Sequence, residues 1–137
     1  MSNITNVSTD VKTIVGEQLE YPSNPNPMIS SSILTIAPGT VTQWMVHPVQ
    51  PYLYVLEGTL TVEFAADGSR QTFKAGQAFL QTRTHWHRGR NDGTTLVRFL
   101  SVFVGAKDVP TILHPPSGKI AEESTARADL ARKAPAA

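Results

Sequence analysis

The sequence has no cysteine, which rules out disulfides, zinc–thiolate clusters and thiol nucleophiles. Any metal must then be held by nitrogen, oxygen or thioether sulfur. It has no excess of either charge: twelve Lys and Arg face eleven Asp and Glu, for a net +1. That balance speaks against a nucleic-acid partner and against an electrostatic membrane anchor. No run approaches the roughly 20 apolar residues of a spanning helix. Met1 to Asp10 lack the basic start and apolar stretch of a signal peptide. The cytoplasm is the expected compartment, with a secreted or periplasmic location if a signal has been trimmed. A Gly-x-Ser-x-Gly elbow, a P-loop and a dinucleotide fingerprint are all missing, so nucleophilic acyl transfer and nucleotide chemistry find no support. Helix-length periodicity is missing before Ile120 as well.

What remains is rich in short strands. With 137 residues, 40% of them hydrophobic and 17% charged, the chain suits one globular domain. A chain of this size buries roughly two-thirds of its unfolded surface. Residues 1–29 read as an extended arm, since the three prolines between Tyr21 and Pro27 forbid a helix. Residues 30–116 read as a barrel. Its expected strands are Ser31–Ala37, Thr40–Val46, Tyr52–Glu57, Thr59–Phe64, Arg70–Phe73, Ala78–Gln81, His85–Gly89 and Leu96–Val104. Pro38-Gly39, Glu57-Gly58, Asp67-Gly68, Ala75-Gly76 and Asp92-Gly93 punctuate them, and Asp67-Gly68 is a strong hairpin signal. Leu60, Val62 and Phe64 alternate with Thr59, Thr61 and Glu63, as a half-buried strand requires. Many short strands at this spacing predict an all-β sandwich or barrel. Residues 117–137 read as a short tail with weak helical character.

Four histidines carry the chemical interest: His47, His85, His87 and His114. On a strand, Gln43, Met45 and His47 share one face, and so do His85 and His87. A barrel that brings these pairs together makes a nitrogen-rich interior pocket. His114, between Leu113 and Pro115, reads as a loop residue without a role. Parity adds Phe79 and Gln81 on one face, and Tyr54 with Tyr52 on another, as substrate contacts. Trp44 and Trp86 point away from the motif positions, toward outer packing. Arg83, Arg88 and Arg90 form either a rim for an anionic substrate or ordinary solvated turns.

Two segments resemble the cupin family. The run Pro38 to Pro48 followed by Tyr54-Val55-Leu56-Glu57-Gly58 is similar to the first cupin motif, and Lys74-Ala75-Gly76 with Thr84 to Asn91 to the second. The resemblance implies a double-stranded β-helix, or jelly roll, open at one end onto a central pocket. It also implies metal ligands: the first motif's histidines fall on positions 45 and 47, its glutamate on 51 and the second motif's histidine on 87. This sequence keeps His47 and His87 but has Met45 and Pro51 at the other two positions. The negative ligand is lost, and a soft thioether replaces an imidazole. Asn91 matches a structural asparagine that closes its loop.

The expected function is a metal-binding cupin, a dioxygenase-like oxidoreductase acting on an organic acid or a phenolic compound. His47, His87, Met45 and His85 are the candidate ligands of one divalent or copper ion, with Cu, Fe, Mn, Ni and Zn all open. Gln43, Phe79, Gln81, Tyr54 and Arg83 are the candidate substrate contacts. Two alternatives stand beside it: a metal-free isomerase or lyase using a pocket histidine as general base, and a non-catalytic module that binds a small ligand. The expected partners are a small-molecule substrate and a second copy of the chain, the extended arm pairing across a two-fold.

Overall fold

Period-two alternation and glycine turns fold the chain into two antiparallel sheets in the computed structural model, which describes residues 2–116. The strands are β1 (Pro27–Ile36), β2 (Gln50–Glu57), β3 (Thr59–Phe64), β4 (Arg70–Lys74), β5 (Ala78–Leu80), β6 (His87–Arg90) and β7 (Val97–Ala106). One sheet runs β1-β7-β2-β5 and the other β4-β3-β6. Among the described residues there is no α-helix, and none long and apolar enough to cross a membrane. The inner faces meet in a core of Leu53 and Val55, Leu60, Val62 and Phe64, and Val97 and Phe99. Burial alternates along β7 as the pleat demands.

The turn between β2 and β3 depends on Gly58. It adopts φ +75°, and a Cβ there would stand 2.5 Å from the Leu96 carbonyl oxygen, which is backbone and cannot move aside cheaply. Gly58→Ala is therefore expected to cost about 2–3 kcal/mol. Urea unfolding checks this, and a change below about 0.5 kcal/mol, the size of an ordinary surface substitution, would refute it. Asn91 closes its loop as the family pattern implies. Buried almost completely, it donates through Nδ2 to the Ile36 and Thr95 carbonyls and accepts the Gly93 N–H.

Several expectations need correcting. Thr40–Val46 is not a strand; Val41, Met45 and Val46 form only isolated bridges, to Arg90, His87 and Leu113. Bounded by Pro38-Gly39 and Pro48, the segment is too interrupted to keep a ladder, and strict alternation fails along it. β1 begins at Pro27, inside the expected arm, because it pairs with β7 along its whole length. Part of the arm also folds back on the barrel. Residues 11–19 make a tight reversal, closed by the Leu19 N–H to the Val11 carbonyl and turned at Gly16 (φ +87°). Its tip carries Ile14 and Val15 onto the main core, and the Ile14 N–H bonds the Leu80 carbonyl. The expected tail, 117–137, lies outside the described residues.

Candidate metal centre

His47 precedes β2 and His87 opens β6, and the isolated Met45–His87 bridge ties the two segments together so that their rings meet. Their Nε2 atoms lie 3.0 Å apart, and both rings are buried. The other nitrogen of each ring decides what this contact is. Nδ1 of His47 lies 2.8 Å from the Thr111 carbonyl oxygen, and Nδ1 of His87 lies 2.8 Å from the His85 carbonyl oxygen. A carbonyl only accepts, so each Nδ1 carries the hydrogen and donates it. In a neutral ring Nε2 is then a bare acceptor. Two lone pairs thus face each other with no hydrogen between them.

A proton would relieve that conflict, but burial works against one. Desolvation first, and then the neighbouring His87, push the His47 imidazolium down to about 3, against the Thr111 carbonyl and the Glu17 charge, which favour it. Desolvation likewise takes His87 down to about 4, against the His85 carbonyl and Glu17. Near neutrality both rings are uncharged. Carbonyl-anchored imidazoles with converging bare nitrogens are the arrangement that metal-binding histidines adopt.

The pair faces a narrow cavity of about 40 Å³, room for roughly two or three waters. Met45 and Gln81 also line it, as does Pro51, so the wall is apolar where the family's glutamate belongs. The Gln81 side-chain oxygen is already engaged by the Thr82 N–H. Among the described residues, no group of three or more His, Cys, Asp or Glu side chains is placed to hold a metal. The donor set that fits an ion is therefore two imidazoles with a thioether nearby.

The other expected site residues lie elsewhere. Nδ1 of His85 sits 3.1 Å from the Thr84 hydroxyl and 3.4 Å from that of Thr82, and the ring does not line the cavity. Gln43 is exposed on the outer surface beside Trp44, Arg88 and His114. Phe79 is core, stacked on Phe73 at 3.7 Å. Tyr54 lies opposite in parity to the buried Leu53 and Val55, so it faces away from the interior. Arg83 reaches the arm, bonding the Gln18 carbonyl and approaching Glu20. Arg88 and Arg90 hold Glu63 on the outside of the smaller sheet, and Arg88 stacks on Trp44. Trp86 packs with Val46, Trp44 and Leu113.

One residue near the site was missed in the sequence. Glu17, on the arm, turns its carboxylate toward the segment leading to His87. Burial opposes its charge, yet hydrogen bonds from Thr84, the Arg83 N–H, Thr82 and Thr13 outweigh this and hold it at about 2. Only a Thr-x-x-x-Glu spacing, Thr13 to Glu17, hinted that the arm makes a structured turn.

Comparison with known proteins agrees with this architecture. No curated protein matches the sequence. Among solved structures, a conserved protein with a double-stranded β-helix domain from Klebsiella pneumoniae is 23% identical with a TM-score of 0.52, covering 63% of this chain and 83% of its own. The cupin domain of an XRE family transcriptional regulator from Enterobacter cloacae is 21% identical (TM-score 0.50), covering 58% and 83%. These two likenesses concern the fold alone. An oxalate decarboxylase is 25% identical with a TM-score of 0.52 over 62% of this chain, which spans only 23% of that enzyme. The Cupin domain family model matches residues 32–103, a segment that holds β2 to β6 whole, half of β1, most of β7, and both converging histidines. By that match, the chain belongs to the cupin family.

Proposed function

We propose that this cupin binds one metal ion through His47 and His87 and acts as an oxidoreductase on a small organic acid. The observation that carries the reading is the 3.0 Å contact between two buried Nε2 acceptors whose Nδ1 hydrogens are both committed to carbonyls. A cation satisfies both lone pairs at once. The donor chemistry favours copper over the harder ions, since no carboxylate offsets a divalent charge at the cavity and Met45 offers a thioether. Bound there, the ion would supply a Lewis acid or redox centre.

The chain's own residues do the rest. The Thr111 and His85 carbonyls fix ring orientation and tautomer, and the apolar wall of Leu34, Pro51 and Phe99 keeps the interior dry. A cavity of about 40 Å³ suits a small acid better than a phenolic ring. The likeness to an oxalate decarboxylase supports the same substrate class. The general-base alternative is weaker, because imidazoles held near 3 and 4 are poor bases at neutral pH.

Metal analysis of untagged protein by plasma mass spectrometry tests the reading, before and after reconstitution with Fe, Mn, Ni, Cu and Zn. About one ion per chain is the expected result, with copper retained best. No retention of any of the five would overturn it and leave the ligand-binding module as the better account.

A further inference from the structure

The histidine pair does not hold itself in place. The tripeptide Arg83-Thr84-His85 touches both members: the Arg83 carbonyl accepts the His47 backbone N–H at 2.9 Å, and the His85 carbonyl accepts the His87 Nδ1 hydrogen at 2.8 Å. The tripeptide belongs to no strand, lying between β5 and β6, so no ladder of β hydrogen bonds sets its path. Something else must. The arm supplies it: one Glu17 oxygen accepts the Arg83 N–H at 3.0 Å and the Thr13 hydroxyl at 2.9 Å, and the other accepts the Thr84 N–H at 3.1 Å and the Thr84 hydroxyl.

We infer that Glu17 is a positioning residue of the site, a carboxylate clamp by which the N-terminal arm fixes the Arg83-Thr84-His85 tripeptide and, through it, both histidines. Both oxygens are engaged by donors, so Glu17 acts through the loop and not as a ligand. The arm segment that carries it is itself well seated. The Ile14 carbonyl accepts the Gln71 amide, the Ile14 N–H bonds Leu80, and the Glu17 N–H returns to the Thr13 hydroxyl. Glu17 also sets a fixed negative charge close enough to favour positive charge at both rings. Where Pro51 has removed the family's negative ligand, a residue outside the family's matched segment restores negative charge at longer range.

The inference rests on the pair being the functional site, but its test reads the histidines directly. Histidine-labelled, metal-free protein is followed by long-range proton–nitrogen correlation, which reports each ring's tautomer. The wild type should show His47 and His87 wholly as Nδ1–H tautomers. Glu17→Gln turns an amide NH₂ toward N–H donors, and Thr84→Val deletes one donor. Each should give mixed tautomers at His87, and Glu17→Gln should also shift the His47 backbone amide that the Arg83 carbonyl accepts, while Thr84→Ser restores the wild-type pattern. His114, whose Nδ1 bonds the Trp44 carbonyl and not the tripeptide, should not move and so separates a local effect from general loosening. In wild-type protein that binds metal, Glu17→Gln should weaken affinity by roughly 10- to 100-fold, as loss of an outer-shell contact does. Unchanged tautomers in both Glu17→Gln and Thr84→Val would overturn the inference, as would an equal disturbance of His114. If Glu17→Gln does not fold, the Thr84 pair decides alone. If the wild type binds no metal, the proposed function falls while the tautomers still judge Glu17.

Discussion

Replacing either histidine of the pair should abolish useful metal binding. His47→Ala and His87→Ala are each expected to lower affinity by on the order of 100-fold or more, given that outer-shell partners alone are worth about 10- to 100-fold. The reason is the smallness of the donor set. An ion held by three or four strong ligands survives the loss of one at reduced affinity. Here, among the described residues, only two imidazoles converge, and the remaining polar side chains at the cavity are a thioether, an amide already engaged by Thr82, and hydroxyls. His85 cannot replace either ring without breaking the geometry, because its own carbonyl is what holds His87. Equilibrium dialysis with copper and zinc measures the effect, with circular dichroism confirming the β fold. Affinity within about threefold of wild type in either variant would mean that the pair is not the ligand set. Met45→Leu, close in volume, refines the result: a loss for copper with no loss for zinc would make the sulfur a ligand, and equal behaviour would make it a packing residue.

How much of this the sequence disclosed follows from the physics of each element. Turn chemistry is local, so Glu57-Gly58 and Asp67-Gly68 marked their turns correctly, and alternation in Thr59–Phe64 marked β3 to the residue. His47 and His87 were readable because they sit at motif positions on a scaffold that converges them. Gln43 was misplaced for the opposite reason: parity holds only while a ladder holds, and Thr40–Val46 has bridges but no ladder. Phe79 shares a face with Gln81, yet the stack on Phe73 takes its ring into the main core while Gln81 lines the cavity. The arm was hardest to read. Prolines from Tyr21 to Pro27 indicate extension, but they say nothing of the reversal at Gly16 or of the tertiary contacts that seat Ile14 and Glu17 on the barrel.

The same two rings should make the metal-free protein acid-sensitive well above the range where carboxylates titrate. Both histidines have folded pKa values below their ordinary 6.5, so between those values the unfolded chain binds more protons than the folded one. Stability then rises with pH: it is complete above about 6.5 and is lost as pH falls toward the folded values. From about pH 7 to pH 5 each ring should remove about 2 kcal/mol, or about 4 for the pair, from a domain stability of ~5–15 kcal/mol. Glu17 and Glu63, whose carboxyls are also held low, begin to contribute only as pH approaches the 4.5 of an ordinary glutamate, so the two effects separate on the pH axis. Urea midpoints in chelator, taken at intervals from pH 7.5 to 5, should fall steadily, and the slope should vanish in a His47→Leu/His87→Met double variant that still folds. A loss of only about 1 kcal/mol over that range would carry its own meaning. It would show that the facing nitrogens already share one proton near neutrality, so that the pair is a buried hydrogen-bonded imidazole dimer. The lone-pair conflict on which metal binding rests would then be absent.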